Sequence, residues 1–288
     1  MTTESPSLEL NWSRQDVEQR FGFSGGKYTD THSLLTFLLA SVLWLCAYGP
    51  LFLLPPEGLP DWTEMFMQRG PTPYFTLFLF FWSLAILWIK SRKLRFQRKT
   101  LNKKLFDMGP DFTISPGSAS DFLKRLRSKV DDPRHFLLLN RISLVLSNFQ
   151  NTGARSDISE MLRSQAEIDE GQMESSYALI RGFVWSIPIL GFIGTVLGLS
   201  KAIGSFGEML GADNSMENIK IGLQTVTGGL STAFDTTLLA LVSALIVQLL
   251  MTVLKKKEEM FLDDCNEFCQ EHIVSRVRMG HLTQETNR

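Results

Sequence analysis

The sequence predicts an all-α integral membrane protein with four transmembrane helices, carried into the cytoplasm by long helical extensions. Three observations support that expectation. Hydrophobic residues make up 44% of the 288-residue chain and charged residues 20%, which is too apolar for a chain that stays unfolded in water. The mean hydropathy of +0.03 conceals strongly apolar blocks alternating with strongly polar ones. Four almost uncharged stretches are long enough to cross a hydrocarbon core of roughly 30 Å, which takes about 20 helical residues. Buried helices of a soluble protein are the competing explanation, but four such runs leave no polar face to meet water. With 29 Lys and Arg against 30 Asp and Glu and a net charge of -1, a basic nucleic-acid binder is also disfavoured.

Five parts are expected in order. Residues 1–30 form an N-terminal segment, polar and of mixed charge; it lacks the basic start and short apolar core of a cleavable signal, so the first span is expected to stay as an anchor. Residues 31–92 form a transmembrane hairpin, with one span from Thr31 to Pro56 and the next from Gly70 to Ile89. Residues 93–178 form a cytoplasmic helical region. Pro110, Pro116 and Gly117 give it an irregular start, and Asp131, Asp132 and Pro133 punctuate two helical patterns. A third helix begins near Ser156 or Asp157, where Asp157 and Glu160 have capping-box spacing. Nothing breaks its pattern before Pro188, which predicts a helix running from the cytoplasm into the third span. Residues 179–254 form a second hairpin, its third span between Arg181 and Lys201 and its fourth ending at Leu254. Residues 255–288 form a C-terminal helix and tail, with Phe261, Cys265, Phe268 and Cys269 at helical spacing.

Orientation follows from the basic flanks, because cytoplasmic loops near membrane helices carry the excess of Lys and Arg. After the second span come Lys90, Arg92, Lys93, Arg95, Arg98, Lys99, Lys103 and Lys104, and after the fourth Lys255, Lys256 and Lys257. The hairpin loops instead hold Glu57, Asp61 and Glu64, or Glu208, Asp213 and Glu217, against a few scattered bases. Both termini are therefore expected in the cytoplasm.

Enzyme chemistry has little support, and no catalytic residues or cofactor are expected. Gly22, Phe23, Ser24, Gly25, Gly26 and Lys27 resemble a phosphate loop only briefly: Phe21 stands where the first Gly belongs, and Tyr28 where Ser or Thr must hold magnesium. Cys265, Cys269 and His272 share a helical face, but tetrahedral zinc needs a fourth ligand and none is near. Reduced thiols on a packing face are the better account, and no metal is expected. Cys46 sits in the first span without a disulfide partner, and His32, His135 and His281 are scattered singly.

Information concentrates in the third and fourth spans. Gly191, Gly194, Thr195 and Gly198 fall on one helical face of the third; Ala233, Thr237, Ala240 and Ala244, with Gln248 one turn beyond, make a similar stripe on the fourth. Small residues let membrane helices approach closely. Such faces serve either to line a pore or to pack helices with hydroxyls bonded back to their own carbonyls, and periodicity leaves both readings open.

The run from Pro188 to Gly198, followed by Gly229 through Leu241, resembles the channel-forming core of the MotA/TolQ/ExbB family. The resemblance covers about residues 155 to 258, and four spans with a cytoplasmic region between the second and third resemble the MotA layout. It implies the proton-conducting subunit of an inner-membrane motor, coupling the proton motive force to mechanical work. It further implies a homopentameric ring around two copies of a single-span MotB, TolR or ExbD-type partner. By the same resemblance Thr195 and Thr237 face the pore, with Thr236 beside them on the ion pathway. Gly191, Gly194, Gly198, Ala233 and Ala240 are the expected helix-packing residues. A non-conducting oligomeric scaffold and a sodium-driven stator subunit are the alternatives.

One departure from the family stands out. TolQ and ExbB commonly carry a glutamate at the position of Thr232, whereas the nearest carboxylate here is Asp235. On a helix of 100° per residue, Asp235 lies about 60° from Thr232 and about 160° from Thr237, so Asp235 and Thr232 belong to a coupling or helix-contact face, with Lys201 as the expected neighbour. A charge at mid-membrane costs roughly 2.5 to 3.5 kcal/mol, so Asp235 is expected to be paired, hydrated or protonated. The face with Thr195 and Thr237 then holds no carboxylate, and a titratable group must come from the partner.

Overall fold

A computed structural model describes residues 17–20, 22–23, 26–53, 63–67, 69–101, 116–152, 155–210 and 216–277. Seven long helices stand among them: α1 (Ser33–Leu53), α2 (Thr72–Gln97), α3 (Pro116–Lys129), α4 (Leu137–Thr152), α5 (Arg155–Ser176), α6 (Ala178–Leu210) and α7 (Met216–His272). The expectations at Ser24, Gly25, Glu57, Asp61, Pro110, Asp213 and His281 lie outside the described residues, as does the side chain of Asp157. Helices α1, α2, α6 and α7 each contain a stretch long and apolar enough to cross a membrane. The protein is a multi-pass membrane protein with an all-helical fold.

The chain divides into two compact units. One takes Ser33–Trp88 and Tyr177–Val253, the apolar parts of the four spans. The other takes Met1–His32, Ile89–Ser176 and Leu254–Arg288.

The second unit is a helical body whose buried face follows a 3.6-residue repeat. On α4, Leu138, Leu139, Ile142, Val145, Leu146 and Phe149 are buried, and this apolar face packs on both α3 and α5. Pro116 opens α3, where its missing N–H costs nothing. Asp132 caps the turn Pro133–His135 by accepting from Arg134 N at 2.9 Å. Gln97 ties this corner down, its Nε2 donating to the His135 carbonyl at 2.7 Å and its Oε1 accepting from Leu137 N at 3.1 Å.

Charged side chains are also buried in this unit, each with a partner. Lys93 Nζ lies 2.6 Å from Glu18 Oε2 and donates to the Asp30 carbonyl at 2.6 Å. Glu18 also accepts from Gly26 N at 3.0 Å and His32 N at 2.8 Å, so it organises the turn that precedes α1. Lys90 Nζ donates to Ser176 Oγ at 2.7 Å and lies 3.6 Å from Glu258, which also accepts from Thr29. Arg141 Nη2 and Nε reach Asp169 Oδ2 at 2.7 and 3.0 Å, and Arg141 also donates to Asn266. Arg141→Met orphans the buried Asp169, leaving it Gln165 at 3.0 Å. The expected loss is about 3–5 kcal/mol, the usual cost of breaking one side of a buried pair. A lowered Tm in detergent checks it, and Asp169→Leu added to Arg141→Met should recover part of the loss.

The cytoplasmic helix runs on into the third span as expected, a helical stretch from Ile158 to Gly207 interrupted only at Tyr177, where α5 ends at Ser176, α6 begins at Ala178 and Arg181 N reaches the Tyr177 carbonyl at 3.0 Å. One expectation is corrected here. The C-terminal amphipathic stretch is not a separate helix. It is the last part of α7, which continues past Lys255, Lys256 and Lys257 to His272. Its Phe261, Cys265, Phe268 and Cys269 are buried, and His272 stacks on Phe268 with ring centroids 4.5 Å apart. Burial pushes the Cys269 thiol up to about 11 and raises Cys265 as well, so neither is a thiolate nucleophile at neutral pH.

Candidate ion pathway

The membrane unit brings the two small-residue stripes face to face within one chain. A Cβ on Gly191 would meet Ala240 Cβ at 2.5 Å; one on Gly198 would meet the Gly229 carbonyl at 2.8 Å and Ala233 N at 3.0 Å. One on Gly194 would meet Thr236 Oγ1 at 2.5 Å and Thr72 Oγ1 at 2.8 Å. Helices α6 and α7 therefore touch backbone to backbone, which only residues without bulk permit. Further along the same seam Ile187 packs with Ala240 and Ala244, covered by Leu79 and Phe80.

Close approach sets the threonine geometry. The hydroxyls of Thr195 and Thr237 are in direct hydrogen-bond contact, with either oxygen able to donate. Thr195 Oγ1 also lies 3.2 Å from the Gly191 carbonyl and 3.3 Å from that of Ala233; Thr237 Oγ1 lies 3.3 and 3.1 Å from the same two oxygens. Each hydroxyl carries one proton and has several acceptors. The pair can thus exchange which oxygen donates to the other without leaving its site. Both residues are half-buried, so the pair is not sealed inside the seam. Thr236 is placed differently: it is 2% exposed against Gly194, and its hydroxyl donates back to Thr232 and Ala233 carbonyls at 3.0 and 3.1 Å. Gln248, further along the same face of α7 as Thr237, is exposed and reaches Thr252 Oγ1 at 3.4 Å.

Asp235 groups with Ser231 and Thr232. Its Oδ2 lies 2.9 Å from Arg69 Nε, an ion pair in which the N–H is not aligned as a hydrogen bond. Arg69 Nη2 donates to Ser231 Oγ at 3.0 Å and Nη1 to Thr232 Oγ1 at a long 3.5 Å; Ser231 Oγ donates to Asp235 Oδ2 at 3.3 Å. Lys201 is exposed and is not the cation at Asp235. Twenty helical residues separate Asp235 from Lys255, a rise of about 30 Å that equals a hydrocarbon thickness. The ion pair thus sits at the end of the apolar stretch opposite the lysines, where its partial exposure is affordable.

Sequence reasoning missed Arg69. It stands among the scattered bases of an acidic loop, and the available signal was a lone arginine just before the second span facing a lone acid in the fourth. That signal is weak, because nothing in a periodicity places a loop residue against a particular helix turn.

Residues 130–267 match the MotA/TolQ/ExbB proton channel family. The MotA/TolQ/ExbB segment contains α4 to α6 and most of α7, and with them both threonines of the pair and Asp235; Arg69 and the α1–α2 hairpin lie outside it. Comparison with curated proteins and with solved structures returns no match.

Proposed function

We propose that this protein is the ion-conducting subunit of a membrane motor driven by the proton motive force. In that reading it sits in a bacterial inner membrane with both termini in the cytoplasm. Several copies, five by the family resemblance, form a ring around two copies of a single-span partner of the MotB, TolR or ExbD type. The observation that carries the reading is the Thr195–Thr237 contact. Two hydroxyls from two membrane helices meet in a matched family segment, half-buried and surrounded by carbonyl acceptors.

Hydroxyls of this kind relay a proton but do not store one, because neither deprotonates near neutral pH. The described partners of Thr195 and Thr237 are hydroxyls and backbone carbonyls, and Asp235 is engaged by Arg69. The storing group is therefore assigned to an acid on the partner's span. Its protonation changes its contacts with the surrounding ring and turns ion flow into relative motion.

Thr237→Val keeps the shape and removes the hydroxyl. Proton flux in liposomes with the partner present is expected to fall about a hundredfold, at the low end of what a positioned proton-transfer group contributes, with the oligomer intact by native mass measurement. Undiminished flux overturns the pathway assignment and favours the scaffold reading; flux that follows sodium instead of pH identifies a sodium-driven stator.

A further inference from the structure

Besides the apolar cover that Leu79 and Phe80 give Ala240 and Ala244, the α1–α2 hairpin makes a polar contact with the channel helix α7 through the side chain of Arg69. Arg69 is held from its own side. Gly70 turns the chain at φ +82, a conformation suited to glycine, and Tyr74 Oη donates to the Met67 carbonyl at 3.1 Å, fixing the segment just before Arg69. Trp44 Nε1 donates to the Tyr74 carbonyl at 3.1 Å, and the Tyr48 and Tyr74 rings lie 4.9 Å apart, so α1 and α2 brace the same turn.

From this brace the guanidinium meets three residues of one α7 turn: Ser231, Thr232 and Asp235. Its planar fork of donors suits that spread, and a point-charge ammonium does not reproduce it. Two residues beyond Asp235 is Thr237. A helix is stiff over three residues, so fixing the azimuth of Asp235 fixes that of Thr237. The first turn of α2 adds a second constraint, since Thr72 lies against the space of Gly194 beside Thr236.

We propose that Arg69 is a positioning residue for the Thr195–Thr237 pair: it clasps the α1–α2 hairpin to α7 and sets the rotation at which α7 offers Thr237 to Thr195. This rests on the proposed pathway for its consequence in ion flux, but the geometric claim stands or falls separately. It assigns the accessory hairpin a task inside the channel machinery and makes Asp235 an anchor, not a relay.

The test uses the full chain in lipid nanodiscs, with Cys46→Ser removing the exposed thiol. Thr195→Cys with Thr237→Cys places two thiols where the hydroxyls meet, and mild oxidation followed by mass spectrometry of the linked peptides gives the intrachain disulfide yield. Arg69→Gln is expected to reduce the initial yield about tenfold, as expected for a contact whose loss leaves a half-buried carboxylate without its cation. Arg69→Lys retains an intermediate yield. The exchange Arg69→Asp with Asp235→Arg restores it to within about threefold, since coupled sites show their interaction in a double change. Unchanged yield in Arg69→Gln overturns the proposal. So does failure of the exchange to recover what Arg69→Asp loses, including where the single variant does not accumulate.

Proton flux of the same Arg69 variants, with both threonines intact and the partner present, separates the two readings. Flux lost at unchanged disulfide yield means that Arg69 or Asp235 acts on the ion directly, and positioning is wrong. Disulfide yield that follows Arg69 in a protein that never conducts leaves the clasp standing and overturns the channel reading.

Discussion

Gly198→Leu is expected to open the α6–α7 seam and to cost the protein its folded hairpin. Even a methyl group at this position would lie 2.8 Å from the Gly229 carbonyl and 3.0 Å from Ala233 N. Both are backbone atoms, so no rotamer change makes room. Gly229 is the reciprocal case, its Cβ meeting the Gly198 carbonyl at 2.8 Å. Overpacking a tight core typically costs 1–3 kcal/mol where side chains yield, and about that or more is expected where the obstruction is main chain. Gly191 and Gly194 are a graded comparison, since the first atoms met there are side chains of Ala240 and Thr236. Gly204→Ala and Gly207→Ala, inside α6 with nothing within 4 Å, are expected to keep Tm or raise it slightly, since Ala is the better helix former. The seam is internal to one chain, so any loss of the proposed ring in Gly198→Leu follows from loss of the hairpin. Thermal unfolding in detergent alongside native mass measurement reads both. A Gly198→Leu protein with wild-type Tm sinks the seam as described.

Four spans were legible because bilayer thickness acts on composition alone: a run without charges is visible wherever it later packs. The seam was half legible. Its small residues were plain at Gly191, Gly194, Gly198, Ala233 and Ala240, but periodicity does not say whether a small face meets its own hairpin, a neighbouring copy or water. The structure spends these positions inside the hairpin and leaves Thr195 and Thr237 at its edge. Charge counting left the partners of two lysines out of sight. Lys90 and Lys93 read as part of a basic membrane flank, yet both are buried, facing Glu258 and Glu18. Their acidic partners lie far away in sequence, and a flank count is blind to such pairing. Arg69 was hidden for the same reason. The single-residue turn at Tyr177 and the continuity of α7 past its lysines turn on local backbone geometry that residue type does not encode.

Expressed without its partner, the protein is expected to show background proton leakage in liposomes under a proton gradient, and to conduct once a single-span partner with an intramembrane acid is present. The difference should be close to all-or-none. Thr195 and Thr237 bond to each other and to the carbonyls of Gly191 and Ala233, and the residues around them on the outer faces of α6 and α7 are apolar, with Phe192, Val196, Leu238 and Leu241 exposed. An apolar lumen with a few hydroxyls gates by dewetting, and Asp235 stays with Arg69 at the far end of the apolar stretch. Replacing the partner's acid by its amide should return flux to background, because the amide cannot take up and release the proton that the hydroxyls only pass along. Strong flux from the chain alone, lost in Asp235→Asn, would make Asp235 the storing group. The two-subunit pathway and the anchoring role of Asp235 would then both be wrong.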